Sequence, residues 1–177
     1  MKAQEINLPE LNINLIAPDV DRDAKFSIDF LKGGLGKQTM LLMGVPEEQI
    51  QETNLETEKE RIRSFIENTD QLNWMIQKDD RVIGSIWVDL KFNNEVPAPS
   101  THLLIWDPAF RGKGVGEASL SAVIKLLKDR GEPVIYTRTK VDNIPIYNLL
   151  KKVGFKPYTD EYADEYGVIW RNLSLKF

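Results

Sequence analysis

Residues Arg111-Gly112-Lys113-Gly114-Val115-Gly116 set three glycines at alternate positions beside two cationic side chains. Such a turn leaves its backbone N–H groups bare of side chains. The segment after it carries Leu120, Val123, Ile124 and Leu127, the i, i+3, i+4, i+7 stripe of a helix. A helix start adds the positive end of its dipole. Arg111 and Lys113 add full charges. Bare N–H groups, a helix N-terminus and two cations together suit a pyrophosphate. The stretch before the turn, around Leu104, Ile105 and Trp106, reads as a strand that breaks at Pro108.

The rest of the chain must position that turn. Its 177 residues fit one domain, 1–177, with room for a substantial core. There is no cysteine, which excludes a disulfide, a thiol nucleophile and a Cys-based zinc site. One histidine, His102, excludes a His-rich metal site. A net charge of −4 argues against a nucleic-acid partner. No apolar run reaches the roughly 20 residues of a membrane helix. The first residues lack a signal-peptide pattern. A cytoplasmic protein with no membrane partner is the expectation.

Along the chain, residues 12–16 alternate as a first strand. A helix over 24–31 is expected to stop at Gly33-Gly34-Leu35-Gly36. Thr53-x-x-Glu56 and Thr57-x-x-Glu60 have capping-box form before a helix with Leu55, Ile62, Phe65 and Ile66 on one side. Strands over 71–77 and 81–92 join through Asp79-Asp80, and 93–100 form a loop. After the glycine turn, Gly131 stops the helix and 133–139 form a β-branched strand. Pro145 opens a helix with Ile146, Leu149, Leu150 and Val153 on its apolar face, and Gly154 ends it. Segments 155–162 and 167–175 read as the last strands. The order is β-α-α-β-β-β-α-β-α-β-β, an α/β pattern with a mixed central sheet.

The turn Arg111-x-x-Gly114-x-Gly116, with its strand before and helix after, resembles the acetyl-CoA site of the GNAT superfamily of N-acetyltransferases. So does the segment from Asn143 to Gly154-Phe155, an asparagine opening a helix that ends in Gly-Phe. The resemblance spans nearly the whole chain, strongly over about 71–155. It implies the GNAT fold with the fourth and fifth strands splayed. It implies acetyl-CoA as co-substrate, with no metal. The donor would be held by the 111–116 turn, by Asn143, and by backbone around Leu104, Ile105 and Trp106. Many members carry a tyrosine four residues before the glycine, which protonates the departing thiolate. Here Leu150 stands there, and Tyr147, one turn earlier, is the substitute candidate; water or the substrate could also serve.

The implied reaction is direct acetyl transfer to a primary amine, which must lose a proton. His102, of the residue type that exchanges protons near neutral pH, lies on the fourth strand. Asp89 and Glu95 flank it, and either could hold or deprotonate an ammonium. The run from Asp160 to Tyr166, with Asp164 and Glu165, offers carboxylates and rings to a cationic amine. A small cationic acceptor is therefore the expectation, bound by Asp89, Glu95, Asp164 and Glu165. Dimers are common in the family, so a homodimer is a further expectation. Leu150 also leaves open a catalytically silent CoA-binding sensor. The run from Lys32 to Thr39 resembles the phosphate loop of an ATPase, although Gln38 stands where a magnesium-binding hydroxyl belongs.

Overall fold

The computed structural model describes residues 3–93 and 96–177. Among these described residues, nine strands form one mixed sheet. They are β1 (Ile6–Leu8), β2 (Ile13–Ile16), β3 (Gln71–Lys78), β4 (Arg81–Asp89), β5 (Ser100–Ile105), β6 (Val134–Lys140), β7 (Lys156–Pro157), β8 (Tyr162–Ala163) and β9 (Ile169–Lys176). The path runs β1-β2-β3-β4-β5-β6-β9-β7, with β8 also on β9. The α-helices of the described residues are α1 (Val20–Leu31), α2 (Gly33–Leu42), α3 (Leu55–Glu67), α4 (Val115–Asp129) and α5 (Ile144–Lys152).

Strand alternation sorts the side chains into two cores. Leu72, Trp74, Ile86, Val88, Ile135 and Leu173 face α4 and α5, where Leu120, Val123, Leu127 and Leu150 close the core. Met75, Leu104 and Trp106 face the opposite way, against Ala24 and Leu31 of α1 and Ile62 of α3. Asp79 and Asp80 both take positive φ, 48° and 62°, in the β3–β4 hairpin. That is the tight turn that matches strand twist, and aspartate tolerates it.

The fold class agrees with the sequence reading, and the details extend it. Edge strand β1 precedes the expected first strand. The expected strand over 155–162 is two short pieces, β7 and β8, both on β9. Helix α3 is capped by Asn54, whose Oδ1 accepts from the Thr57 N–H at 3.0 Å, and not by either threonine box.

The largest correction concerns Gly33 to Gly36. These residues do not end a helical region; they begin α2 directly after α1. A phosphate loop links a strand to a helix, so the ATPase reading fails on geometry. Lys37 instead pairs with Glu47 at 2.6 Å. Gly36 permits the α1–α2 corner, because a Cβ there would stand 1.9 Å from the Leu31 carbonyl oxygen. Gly36→Ala should therefore destabilise the protein by about 1–3 kcal/mol, an overpacking cost, read as a lowered midpoint in urea. An unchanged midpoint would show that the corner relaxes freely.

Candidate functional site

The sheet opens between β5 and β6. These parallel strands share one register pair, Ser100–Tyr136, with the Tyr136 N–H on the Pro99 carbonyl at 2.9 Å. Beyond it they part, and Thr137 Oγ1 reaches across to the Thr101 carbonyl at 2.8 Å. Peptide groups alternate sides along a strand. Pro99 and Thr101 turn theirs to β6, so Leu103 and Ile105 turn theirs into the gap. Leu104 turns its own to β4, and just past the strand the Trp106 N–H bonds to the Ile83 carbonyl at 3.0 Å. Of the three expected backbone contacts, only Ile105 faces the opening. Leu103, which strand alternation from Pro99 also marks, faces it too.

A cleft of about 590 Å³ fills this opening. The glycine turn forms one end. Gly114 is the N-cap of α4 with φ 79°, and no side chain caps the helix. Gly112, Gly114, Gly116 and Glu117 line the cleft there. The first-turn N–H groups of α4 are thus presented without a competing side chain. Val115 is buried under the turn as an anchor. Lys113 sits with Nζ 6.0 Å above the Phe110 ring.

Two side chains strap the turn region to α2. Arg111 donates from Nε to the Ile105 carbonyl at 2.8 Å and from Nη2 to the Trp106 carbonyl at 3.3 Å and Thr39 Oγ1 at 3.5 Å. Burial pulls its guanidinium below the ordinary value, with Asp107 opposing. Asn143 donates from Nδ2 to the Leu42 carbonyl at 3.1 Å. Both residues line the cleft, together with Thr39, Leu42 and Met43 of α2.

On the face away from α4, His102 lines the cleft and stacks on Trp87, with ring centroids 4.9 Å apart. Its Nε2 lies 3.0 Å from Asp89 Oδ2 and 3.4 Å from Ser100 Oγ. An ionised carboxylate only accepts, so the Nε2 facing Asp89 carries a proton. Asp89 is 2% exposed. Burial pushes its carboxyl up, but bonds from His102, Asn93 and Gln71 outweigh this and hold it below the ordinary value. Ionised Asp89 therefore adds stability at neutral pH, lost only as the pH falls through that depressed value.

Several expected residues lie elsewhere. Asp89 accepts from Gln71 and Asn93, contacts His102 Nε2, and does not itself line the cleft. Asp164 accepts from the Tyr166 and Val168 N–H groups and from Trp170 Nε1 at 2.8 Å, which makes it the anchor of an indole. Glu165 is exposed and does not line the cleft. Glu95 lies outside the described residues. Tyr147 also lies off the cleft, its ring under the Arg171 guanidinium at 3.9 Å. Leu150 takes the cleft-lining place. Tyr147→Phe should change turnover by a few-fold at most. A loss of 10²-fold or more, the scale of a proton-transfer group, would restore its acid role.

Among the described residues, no cluster of three metal-binding side chains occurs and no helix is long and apolar enough to cross a membrane.

The model of the acetyltransferase (GNAT) family matches residues 42–155. Mycothiol acetyltransferase of Nocardia farcinica is 31% identical over 78 residues, which cover 44% of this chain and 26% of that protein. The match thus spans about a quarter of that relative's length. Among solved structures, the microcin C7 self-immunity acetyltransferase in complex with acetyl-CoA and AMP superposes with a TM-score of 0.76 at 15% identity, covering 94% of this chain and 93% of that one. A ribosomal alpha-N-protein acetyltransferase in complex with coenzyme A gives 0.74 at 15%, covering 93% and 94%. At these identities the structural likeness is one of fold.

Proposed function

Because the chain belongs to the GNAT acetyltransferase family, whose acetyl donor is acetyl-CoA, we propose that it acetylates a primary amine, with 1–177 acting as one domain. The observation that carries this reading is the join of two features in one cleft: an uncapped helix start beside bare glycines, and an Asp-backed histidine. The residues fit the donor. The first turn of α4 would take the pyrophosphate. The β5–β6 opening, with the Leu103 and Ile105 peptides along it, would take the arm. Arg111 acts mainly by fixing the end of β5.

Acetyl-CoA supplies a thioester carbonyl, which an amine can attack directly. In the proposed reaction a C–N bond forms and the C–S bond breaks. The nitrogen loses its proton to His102 Nδ1, and Asp89 steadies the resulting imidazolium. A backbone N–H in the opening can donate to the carbonyl oxygen as charge builds there. The thiolate takes its proton from water, since the cleft offers Leu150 where a tyrosine would stand.

Leu150 is also the observation that favours a second reading, a protein that binds CoA and transfers nothing. Thiol release from acetyl-CoA over a panel of primary amines, with products weighed by mass spectrometry, separates the two. Release tied to an N-acetylated amine supports the enzyme. Tight acetyl-CoA binding with no release across the panel supports the sensor.

A further inference from the structure

The walls of the cleft carry the wrong charge for a purely cationic acceptor. Among the described residues, its charged lining is Arg111, Arg138, Lys140 and one carboxylate, Glu117. Glu117 lies at the α4 end, paired with Lys152 at 2.6 Å. Arg111 is spent on carbonyls, and Lys140 pairs with Asp142 at 3.0 Å. Arg138 differs. Its guanidinium carbon lies over the Trp170 ring, 4.0 Å from the centroid. Its Nη1 donates to the Tyr162 hydroxyl at 3.3 Å. Among the described residues no carboxylate comes within 4.0 Å of it. Asp164 feels its charge at longer range but is already bonded to Trp170 and two backbone N–H groups.

Trp170 is itself held at both ends. Asp164 binds its Nε1, and its far edge fits against Gly44, where a Cβ would come within 2.2 Å of the ring. A guanidinium seated over a fixed indole loses little further freedom when its N–H donors meet a ligand. That is the arrangement for two-pronged recognition of a carboxylate or phosphate.

The position of Arg138 says whose oxyanion this is. Ser100 pairs with Tyr136, so two residues on, His102 of β5 and Arg138 of β6 stand opposite each other across the opening. Alternation puts Arg138 on the face of α2, with His102, and away from Ile135 and the α4 side. The donor's phosphates belong at the α4 start, on the other face. The pantetheine arm between phosphate and thioester carries no charge. An anion at Arg138 must therefore come from the acceptor.

Resting on the acetyl-transfer reading above, the geometry points to an acceptor that carries an oxyanion as well as its primary amine, with Arg138 reading the oxyanion while His102 faces the amine. This replaces the small cationic acceptor expected from the acidic residues. Apolar Leu42, Met43, Trp87 and Trp170 complete the walls, so the body joining the two groups is apolar or aromatic.

The test uses matched pairs of amines that differ only in the oxyanion. Phenylalanine against phenethylamine and leucine against isoamylamine probe a carboxylate. Phosphoethanolamine against ethanolamine probes a phosphate, and spermidine represents the polycations. In the wild type, the anionic member of at least one pair should have a kcat/KM about 10²-fold higher than its partner. Arg138→Gln should raise the KM of that member by a similar factor and leave the acetyl-CoA KM unchanged. Arg138→Lys should recover part of the loss. Preference for spermidine or the uncharged-tail amines in the wild type, or a ratio untouched by Arg138→Gln, overturns the proposal. Titration of the coenzyme A-bound protein with the same pairs reads recognition without turnover. Arg138-dependent binding with no thiol release would sink the acetylation reading and keep the oxyanion site. Neither binding nor release of any pair would remove the oxyanion site as well.

Discussion

Acetyl-CoA affinity should fall by at least about 10²-fold in the Gly114→Val/Gly116→Val double variant. Hydrogen bonds to a charged group contribute about 1.5–3 kcal/mol each, and every 1.4 kcal/mol is about tenfold in Kd. Losing two N–H contacts to a pyrophosphate therefore costs about 10²- to 10⁴-fold. The two positions act differently. A side chain at 114 meets no atom within 4 Å but must adopt φ 79°, which costs a β-branched residue about 1–2 kcal/mol. A Cβ at 116 comes to 3.1 Å from Leu103 Cδ2 and 3.3 Å from Leu149 Cδ2, so valine there pushes into the cleft. Calorimetry on a double variant whose circular dichroism and melting show a folded state decides the matter. An unchanged Kd would mean that the turn does not hold the donor's phosphates.

That turn could be read from sequence because everything it needs is local. Its glycines, the Pro108 break and the stripe from Leu120 to Leu127 fall within twenty residues or so. The opposite wall of the cleft is not local. Helix α2 was hidden because Gly33, Gly34 and Gly36 lower helix propensity and read as a stop. Their reason is tertiary, since the corner brings the Leu31 carbonyl against Gly36. Arg138 and Trp170 meet only through the β6–β9 pairing, in which Lys140 faces Trp170 and Arg138 faces Asn172. The acidic run from Asp160 to Tyr166 was legible as charge, and charge alone misassigned it. Asp164 spends its oxygens on an indole and two backbone N–H groups, a use that no composition reveals.

The same limit applies to the proposed base, and it sets the second large effect. His102 stood out as the lone histidine, but its partner depends on register. Asp89 is opposite Ser100 and Trp87 opposite His102, which brings the carboxylate to Nε2 and the indole under the ring. Those two contacts fix both tautomer and tilt, which a solvent-edge histidine would not need. His102→Gln should lower kcat by about 10²- to 10⁴-fold, the range for a positioned acid–base group. The Kd of acetyl-CoA should stay within about twofold, because the α4 turn proposed to take the donor's phosphates does not include His102. Asp89→Asn keeps the shape and removes the charge, so kcat should drop by a smaller factor, about 10- to 10²-fold, again with donor affinity intact. Raising the pH tests the assignment directly. If His102 removes the amine's proton, hydroxide or a fully deprotonated amine can substitute for it, and the gap between wild type and His102→Gln should narrow above the acceptor's own pKa. A gap that stays constant up to pH 10 would place His102 among the packing residues and leave proton removal to water.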